Sequence, residues 1–289
     1  MGSCDWNDGM DKVGEDGRGE SVWLGFFLYN TLTRFAGLAR AREDLPFAAH
    51  CESEAARLRS RLEESGWDGG WYRRAYFDDG SPLGSAENPE CQIDAISQSW
   101  AVLSDAARED RARLAMQAVD ERLIDNARGL IRLLDPPFDS SALNPGYIRG
   151  YVPGVRENGG QYTHAAIWTA MAFCGLGENA RIGDLLTMLN PISHSDSPAK
   201  AAVYKVEPYV MAADIYTTPG QQGRGGWTWY TGSSGLMYRL ILESVLGMRR
   251  RGASLSFHPC LPADWNTFKL HYRHGATLYS VTALRGQSE

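Results

Sequence analysis

The sequence predicts a mainly α-helical fold made of antiparallel helical hairpins and finished by a short β region. Three observations carry this expectation. About eight segments place apolar side chains at helical spacing, the loops between them are by turns short and long, and near residue 250 the pattern changes to polar–apolar alternation rich in β-branched and aromatic residues. The helical segments share no regular repeat, so a closed helical toroid suits them better than a solenoid. One set of helix ends would carry the long loops.

Residues 1–20 are rich in Gly and Asp and read as loop. "SVWLGFFLYNTLTRFAGLARARED" then reads as a helix starting at Glu20 or Ser21, and "HCESEAARLRSRLEESGW" as an amphipathic helix ended by Gly66. An aromatic loop covers 66–92. "IDAISQSWAVLSDAA" and "EDRARLAMQAVDERLIDN" form the next helical pair. The Pro/Gly-rich stretch 135–160 is long for a compact domain; its length suggests function, and its aromatics argue against disorder. Helices resume with "QYTHAAIWTAMAFCGLG", "NARIGDLLTMLNPI" and "KVEPYVMAADIYT". The glycine-rich loop 220–235 follows, then a last helix, "GLMYRLILESVLGMRRRG". The tail, "ASLSFHPCLPADWNTFKLHYRHGATLYSVTAL", reads as about three short strands.

A net charge of −6 offers no basic stripe to displace counterions from a nucleic acid. The five cysteines (Cys4, Cys51, Cys91, Cys174, Cys260) show no CxxC and no short spacing, which points to free thiols in a reducing compartment. There is no signal peptide, and no apolar run approaches the roughly 20 residues that span a bilayer; a cytoplasmic location is expected for this chain. Many aromatics sit beside Gly, Asn and charged residues, as in "GWDGGWYRRAYFDDG". That mixture suits sugar sites, where rings pack on the pyranose face and polar groups take its hydroxyls, and equally suits turn-rich loops with aromatics folded inward.

Three clusters could carry chemistry. In "CDWNDGM", Asp5 and Asp8 could serve as an acid/base pair, bind a cation or lie in a solvated loop, although the stretch lacks the ligand spacing of a helix–loop–helix calcium site. In "YVPGVRENGGQYTHAAIW", Arg156, Glu157, Asn158 and Gln161 precede His164 at the first turn of a helix, a place that attracts anions; a salt-bridged loop with a core histidine is the alternative. In "GRGGWTWYTGSSG", Thr231, Gly232, Ser233 and Ser234 could form a nest of N–H donors or an ordinary helix cap. HExxH, GxSxG, a P-loop and a Cys/His ligand set are all missing from the sequence, so zinc hydrolysis and serine acyl transfer lack motif support. What remains suggests glycosyl chemistry, in which a carboxylic acid protonates the leaving oxygen.

The stretches "DWNDGM", "GRGESVWLGFFLY", "ECQIDAISQSWAVLS", "YVPGVRENGGQYTHAAIW", "YKVEPYVMAADIYT" and "GRGGWTWYTGSSGLMYR" resemble, in order, the C-terminal part of glycoside hydrolase family 94 phosphorylases. The resemblance is greatest to the phosphorylase-like region of bacterial cyclic β-1,2-glucan synthases and to β-1,2-oligoglucan phosphorylases. It implies an (α/α)6 barrel, here incomplete (residues 1–250), followed by a C-terminal β-strand region (251–289). It also implies inverting phosphorolysis of β-glucosides to α-glucose 1-phosphate, with inorganic phosphate as co-substrate and no cofactor or metal. Asp8 would be the general acid. Asp5, Trp6, Tyr151, Arg156 and Gln161 would bind or shape the sugar site, and His164, Thr231 and Gly232 would bind phosphate. Glu157, Asp94 and Glu207 are expected as hydrogen-bond or ion-pair partners.

The same resemblance implies that about a third of the toroid belongs before residue 4, supplied by a preceding N-terminal part or a homodimer partner. The chain alone is then expected to have little or no phosphorylase activity and to expose apolar helix faces. A full-length synthase would be associated with the inner membrane. Three other readings stay open: a cellobiose or chitobiose phosphorylase fragment, an (α/α)6 hydrolase with a base carboxylate, and a non-catalytic carbohydrate-binding remnant.

Overall fold

The computed structural model describes residues 5–140 and 142–286. Its helices are α1 (Val22–Ala41), α2 (Leu45–Ser65), α3 (Ala95–Leu103), α4 (Glu109–Arg122), α5 (Thr163–Gly175), α6 (Asn179–Leu189), α7 (Pro198–Tyr204) and α8 (Thr231–Arg239), the last running into a π-helical stretch, Leu240–Val245. Short strands stitch the loops together: β1 (Glu20–Ser21), β2 (Ala75–Tyr76), β3 (Pro82–Leu83), β4 (Ile93–Asp94), β5 (Ile124–Asp125), β6 (Leu130–Ile131), β7 (Leu134–Asp135), β8 (Gln161–Tyr162) and β9 (Asp214–Ile215). Two hairpins end the chain, β10 (Met248–Arg251) with β11 (Ser254–Phe257), and β12 (Thr267–His274) with β13 (Thr277–Leu284).

Three hairpins, α1–α2, α3–α4 and α5–α6, stand side by side, and their first helices pack in the order α1, α3, α5, α8. This inner row is an open helical toroid. It surrounds a cavity of about 1400 Å³ lined by Phe27 and Phe35 of α1, Trp100 of α3, His164 and Trp168 of α5, and Leu236 of α8. Helix α5 lies in the middle of the arc and buries every residue from Ala165 to Phe173, which is why its sequence is apolar on all sides rather than striped.

The alternation of loop lengths has a structural meaning. Inner helices connect to outer ones through short turns at 42–44, 104–108 and 176–178. The long segments all lead into the N-termini of inner helices, so four helix starts and four long loops share one end of the toroid. Two of those starts are closed by side chains: Ser21 caps α1 by accepting from Leu24 N (3.2 Å), and Asp94 caps α3 by accepting from Ile96 N (2.7 Å). The residues before α5 and α8, Tyr162 and Tyr230, supply no side-chain cap.

The predicted helix over 205–217 is not formed. Helix α7 ends earlier, with Lys205 in the left-handed region (φ 57°), and Pro208 denies a donor to any continuation. Asp214 and Ile215 instead form β9, paired with β8 so that Tyr162 faces Asp214. The last predicted helix begins four residues sooner, at Thr231, and its end becomes β10. The tail holds three strands, β11, β12 and β13, as its alternation predicts, and β11 pairs with β10 from the end of that helix segment. Cys51, Cys91, Cys174 and Cys260 carry free thiols; Cys4 lies outside the described residues.

Candidate active site

The acid loop opens the chain. Asp8–Met10 form a 3₁₀ turn that docks on a second one, Tyr147–Gly150, within the Pro/Gly-rich segment. Close backbone approach fixes the contact: a Cβ on Gly146 (φ 119°) would lie 2.1 Å from Asp11 Oδ1, and that carboxylate accepts from Tyr147 N at 3.1 Å. The Tyr147 hydroxyl in turn hydrogen-bonds Asp8, and its phenol is raised by partial burial and by that carboxylate. Asp8 itself is exposed, whereas Asn7, just before it, is buried.

One buried amide ties distant parts of the Pro/Gly-rich segment together. Asn158 accepts from Phe138 N (2.7 Å) and donates to Phe138 O (2.8 Å) and Tyr151 O (2.9 Å). Beside it Arg156 takes the left-handed backbone conformation (φ 52°) and donates its N–H to Asp214 Oδ2 at 2.9 Å. Its guanidinium lies between Tyr151 (4.8 Å) and Trp227 (5.4 Å), with Glu157 3.5 Å away. Burial raises the Glu157 carboxyl, against the opposing pull of Arg156 and a hydrogen bond from Tyr162.

These groups join into one closed circuit. Asp8 touches Tyr147, Tyr147 meets Tyr151 at 6.2 Å, and Arg156 bridges Tyr151 to Trp227. Trp227 meets Tyr230 at 6.5 Å, and the Tyr162 and Tyr230 hydroxyls share a hydrogen bond at 3.3 Å. Tyr162 lies edge-on to Trp6 at 5.3 Å, and Trp6 lies edge-on to His164 at 5.6 Å. Trp168 also lies against the imidazole, at 4.4 Å, and meets Trp6 at 5.5 Å. Burial between these rings lowers His164 to about 4, so the imidazole is neutral at neutral pH.

Of the residues singled out by sequence, Asp8, Trp6, Tyr151, Arg156 and His164 stand on the circuit. Thr231 and Gly232 form the exposed first turn of α8, directly after Tyr230. Gln161 is buried below it, accepting from Ile131 N at 2.7 Å; its Nε2 has no partner among the described residues. Asp5 lies behind the circuit. Its side chain is sealed, bonded to Asn7 N (3.0 Å), Ser21 Oγ (2.9 Å) and Arg74 Nη2 (2.5 Å), so it braces the loop rather than facing a ligand.

Sequence reasoning missed Tyr147, Tyr162, Trp227 and Tyr230 as individuals, although the first lies in the Pro/Gly-rich stretch 135–160 and the others in quoted stretches. It also missed Arg74 and Asp214. The doubled arginine of "GGWYRRAYF" was the available signal for the first; the second was hidden inside the misassigned helix. No group of three or more His, Cys, Asp or Glu is arranged for a metal ion among the described residues.

A family model described as the glycosyl hydrolase 94 superfamily catalytic domain matches residues 1–247. The chain belongs to that family. It is 50% identical over 97% of its length to the cyclic β-(1,2)-glucan synthase NdvB of Rhizobium meliloti, covering 10% of that protein. It is 34% identical over 96% of its length to the solabiose phosphorylase of Paenibacillus borealis, covering 36% of it. An N,N'-diacetylchitobiose phosphorylase of Vibrio furnissii is 31% identical over 96% of the chain, which covers 34% of it. The family 94 chain thus spans about a tenth of the synthase and about a third of these phosphorylases. Among solved structures, a sialidase (TM-score 0.58, 16% identity, 94% of this chain and 24% of that one) and a glycosidase in complex with glucose (TM-score 0.53, 16% identity, 84% and 55%) share the fold. No helix among the described residues is long and apolar enough to cross a membrane.

Proposed function

We propose that this family 94 chain carries the acid and the anion cradle of an inverting phosphorylase acting on β-glucosides, with linear β-1,2-glucan as its substrate class. The observation that carries the reading is the pairing, on one aromatic circuit, of an exposed carboxylate (Asp8) with a neutral histidine at an uncapped helix start. Uncapped first turns of α5 and α8 leave N–H groups directed at whatever lies in front of them, and helix dipoles add positive potential there. His164 can donate a hydrogen bond to phosphate without first losing a proton to solvent.

In the proposed reaction, Asp8 gives its proton to the glycosidic oxygen as the bond from C1 to that oxygen breaks. A phosphate oxygen held by His164, Thr231 and Gly232 forms the new bond to C1 from the opposite face, giving α-glucose 1-phosphate with inversion. Phosphate is already an anion, so no base carboxylate is needed. Trp6, Tyr151 and Arg156 would pack on and bind the sugars, with Gln161 tying β8 to β6 through Ile131 N and Asp5 bracing the loop. Residues 1–250 would form the catalytic barrel's part and 251–289 its strand appendage.

One observation favours a second reading. Glu157 is a carboxyl raised by burial and tied to Tyr162, and a hydrolase could use it opposite Asp8. Phosphate dependence separates the two. The chain alone should bind β-1,2-gluco-oligosaccharides in calorimetry and release little or no product; in a version extended to the length of its phosphorylase relatives, glucose 1-phosphate, not glucose, should be the product from linear β-1,2-glucan. In that extended version Asp8→Asn should keep binding and lose turnover by about 10²-fold or more. Equal glucose release with and without phosphate would favour the hydrolase, and binding without product at any phosphate concentration would leave a carbohydrate-binding remnant.

A further inference from the structure

Arg74 is fully buried between three elements that have no sequence proximity to one another. Its guanidinium meets Asp5 of the acid loop (Nη2 to Oδ1, 2.5 Å), Ser21 at the start of α1 (Nη1 to Oγ, 3.0 Å) and Asp94 at the start of α3 (Nε to Oδ2, 3.5 Å). The Trp23 ring lies 6.0 Å away. Its backbone is held as tightly: Arg74 N donates to Leu83 O (2.7 Å) and Arg74 O accepts from Val22 N (3.1 Å). Gly84 (φ 81°) permits that approach, since a Cβ there would lie 2.4 Å from Arg74 N.

Asp5 is next to Trp6, and Trp6 is the ring that covers one side of His164. The ion pair therefore fixes where the loop sits relative to α5, three residues before the acid. Arginine suits the task because its planar fork reaches two carboxylates and a hydroxyl at once, while a lysine ammonium is a single point on a flexible stem. The partners divide the charge unequally. Burial would raise Asp5, but the Arg74 guanidinium and the hydrogen bonds from Asn7 and Ser21 outweigh it and hold it below the usual carboxylate range. Burial dominates at Asp94 and pushes it up to about 6.

We infer that Arg74 is a positioning residue for the acid loop, setting the placement of Trp6 over His164 and hence of Asp8 relative to the anion cradle. The inference rests on the reading of Asp8 and His164 as acid and phosphate ligand, but its test needs no substrate. Burial alone accounts for the low titration of His164, so that titration reports how well the imidazole is covered.

The experiment follows His164 by NMR from pH 3 to 8 in the intact chain and in Arg74→Lys, Asp5→Asn, Trp6→Ala and Arg74→Lys/Trp6→Ala variants, with circular dichroism to establish folding. Trp6→Ala should raise the His164 midpoint by about one unit or more towards the free value of about 6.5. Arg74→Lys and Asp5→Asn should raise it in the same direction, and combining Arg74→Lys with Trp6→Ala should add nothing further. Folded variants that titrate as the parent, or effects of Arg74→Lys and Trp6→Ala that sum independently, would overturn the inference. So would global unfolding of both Arg74→Lys and Asp5→Asn, which would make the ion pair a strut of the whole fold. A chain that passes this test yet binds neither phosphate nor sugar would sink the functional reading and leave the clamp standing.

Discussion

His164 links the proposed chemistry to a measurable stability. Its folded value, about 4, lies below the roughly 6.5 of an unfolded histidine, so between those limits the unfolded chain binds more protons. Stability contributed by the neutral, buried ring is therefore complete above pH 6.5 and is lost as pH falls towards 4. Asp94 acts the other way in an overlapping window: its folded value of about 6 exceeds the unfolded value of 3.8, so the folded chain gains protons there as pH falls. The two nearly oppose one another, and a substitution separates them. His164→Gln should flatten the acid-side loss in melting temperature between pH 6.5 and 4.5 relative to the parent; a parallel curve would show that the ring is not titrating as its burial requires. A second residue-level test concerns Gly226, where a Cβ would lie 2.1 Å from Asp214 Oδ1. Asp214 anchors the N–H groups of Arg156 (2.9 Å) and Trp227 (3.3 Å), so Gly226→Ala should cost about 1–3 kcal/mol in chemical denaturation and weaken sugar binding through Arg156 and Trp227 together.

At the level of elements, the segment 205–230 shows what the sequence could and could not disclose. The helices α1 to α6 were legible because each buries one face or, in α5, all faces against neighbours, and burial leaves its period in the composition. Their caps were legible in part: Ser21 and Gly66 stand where the pattern placed them. The strand β9 was not legible, because two residues have no period, and what holds them is pairing with β8 more than fifty positions earlier. The site residues were read from motifs, not from spacing, and a motif shows which residues travel together and not which of them, like Asp5, is sealed by Arg74. Within this segment Lys205 (φ 57°) and Trp229 (φ 60°) both adopt a backbone conformation that glycine takes freely. Lys205 ends α7, so Lys205→Gly should stabilise the chain modestly, by about 0.5 kcal/mol, with sugar binding unchanged. Trp229 is 64% exposed and donates to Glu207 at 3.2 Å. Trp229→Gly should likewise cause no loss of stability, yet it should reduce oligosaccharide affinity. A matched loss of stability at both positions would show that the strain at Trp229 serves the fold and not the site.

For the whole molecule, the open arc decides which surfaces meet water. Inner helices normally bury the side chains that face the centre of the toroid. Here Phe27, Phe35 and Leu38 of α1 are 42%, 46% and 54% exposed along the cavity, with Trp100 and Trp168 at its floor. A contiguous apolar surface of this kind drives association in water, since burying it returns about 25 cal/mol per Å². Arg239, Arg249, Arg250 and Arg251 also line the cavity, with Arg239 paired to Glu243, and Arg34 lines it on the α1 side, so apolar and basic groups share this surface in a chain whose net charge is −6. Salt should therefore have two effects on the isolated chain: it screens the arginines' mutual repulsion and leaves the apolar attraction intact, so self-association should increase with ionic strength rather than fall. Phe35→Glu with Leu38→Lys should remove most of that association in sedimentation velocity and reduce the binding of a hydrophobic dye. It should leave the melting temperature within about 2 °C of the parent, because neither side chain is buried in the folded chain. Association that persists in the double variant would move its origin away from α1 and towards the exposed aromatics of the sugar circuit, where added oligosaccharide would then dissolve it.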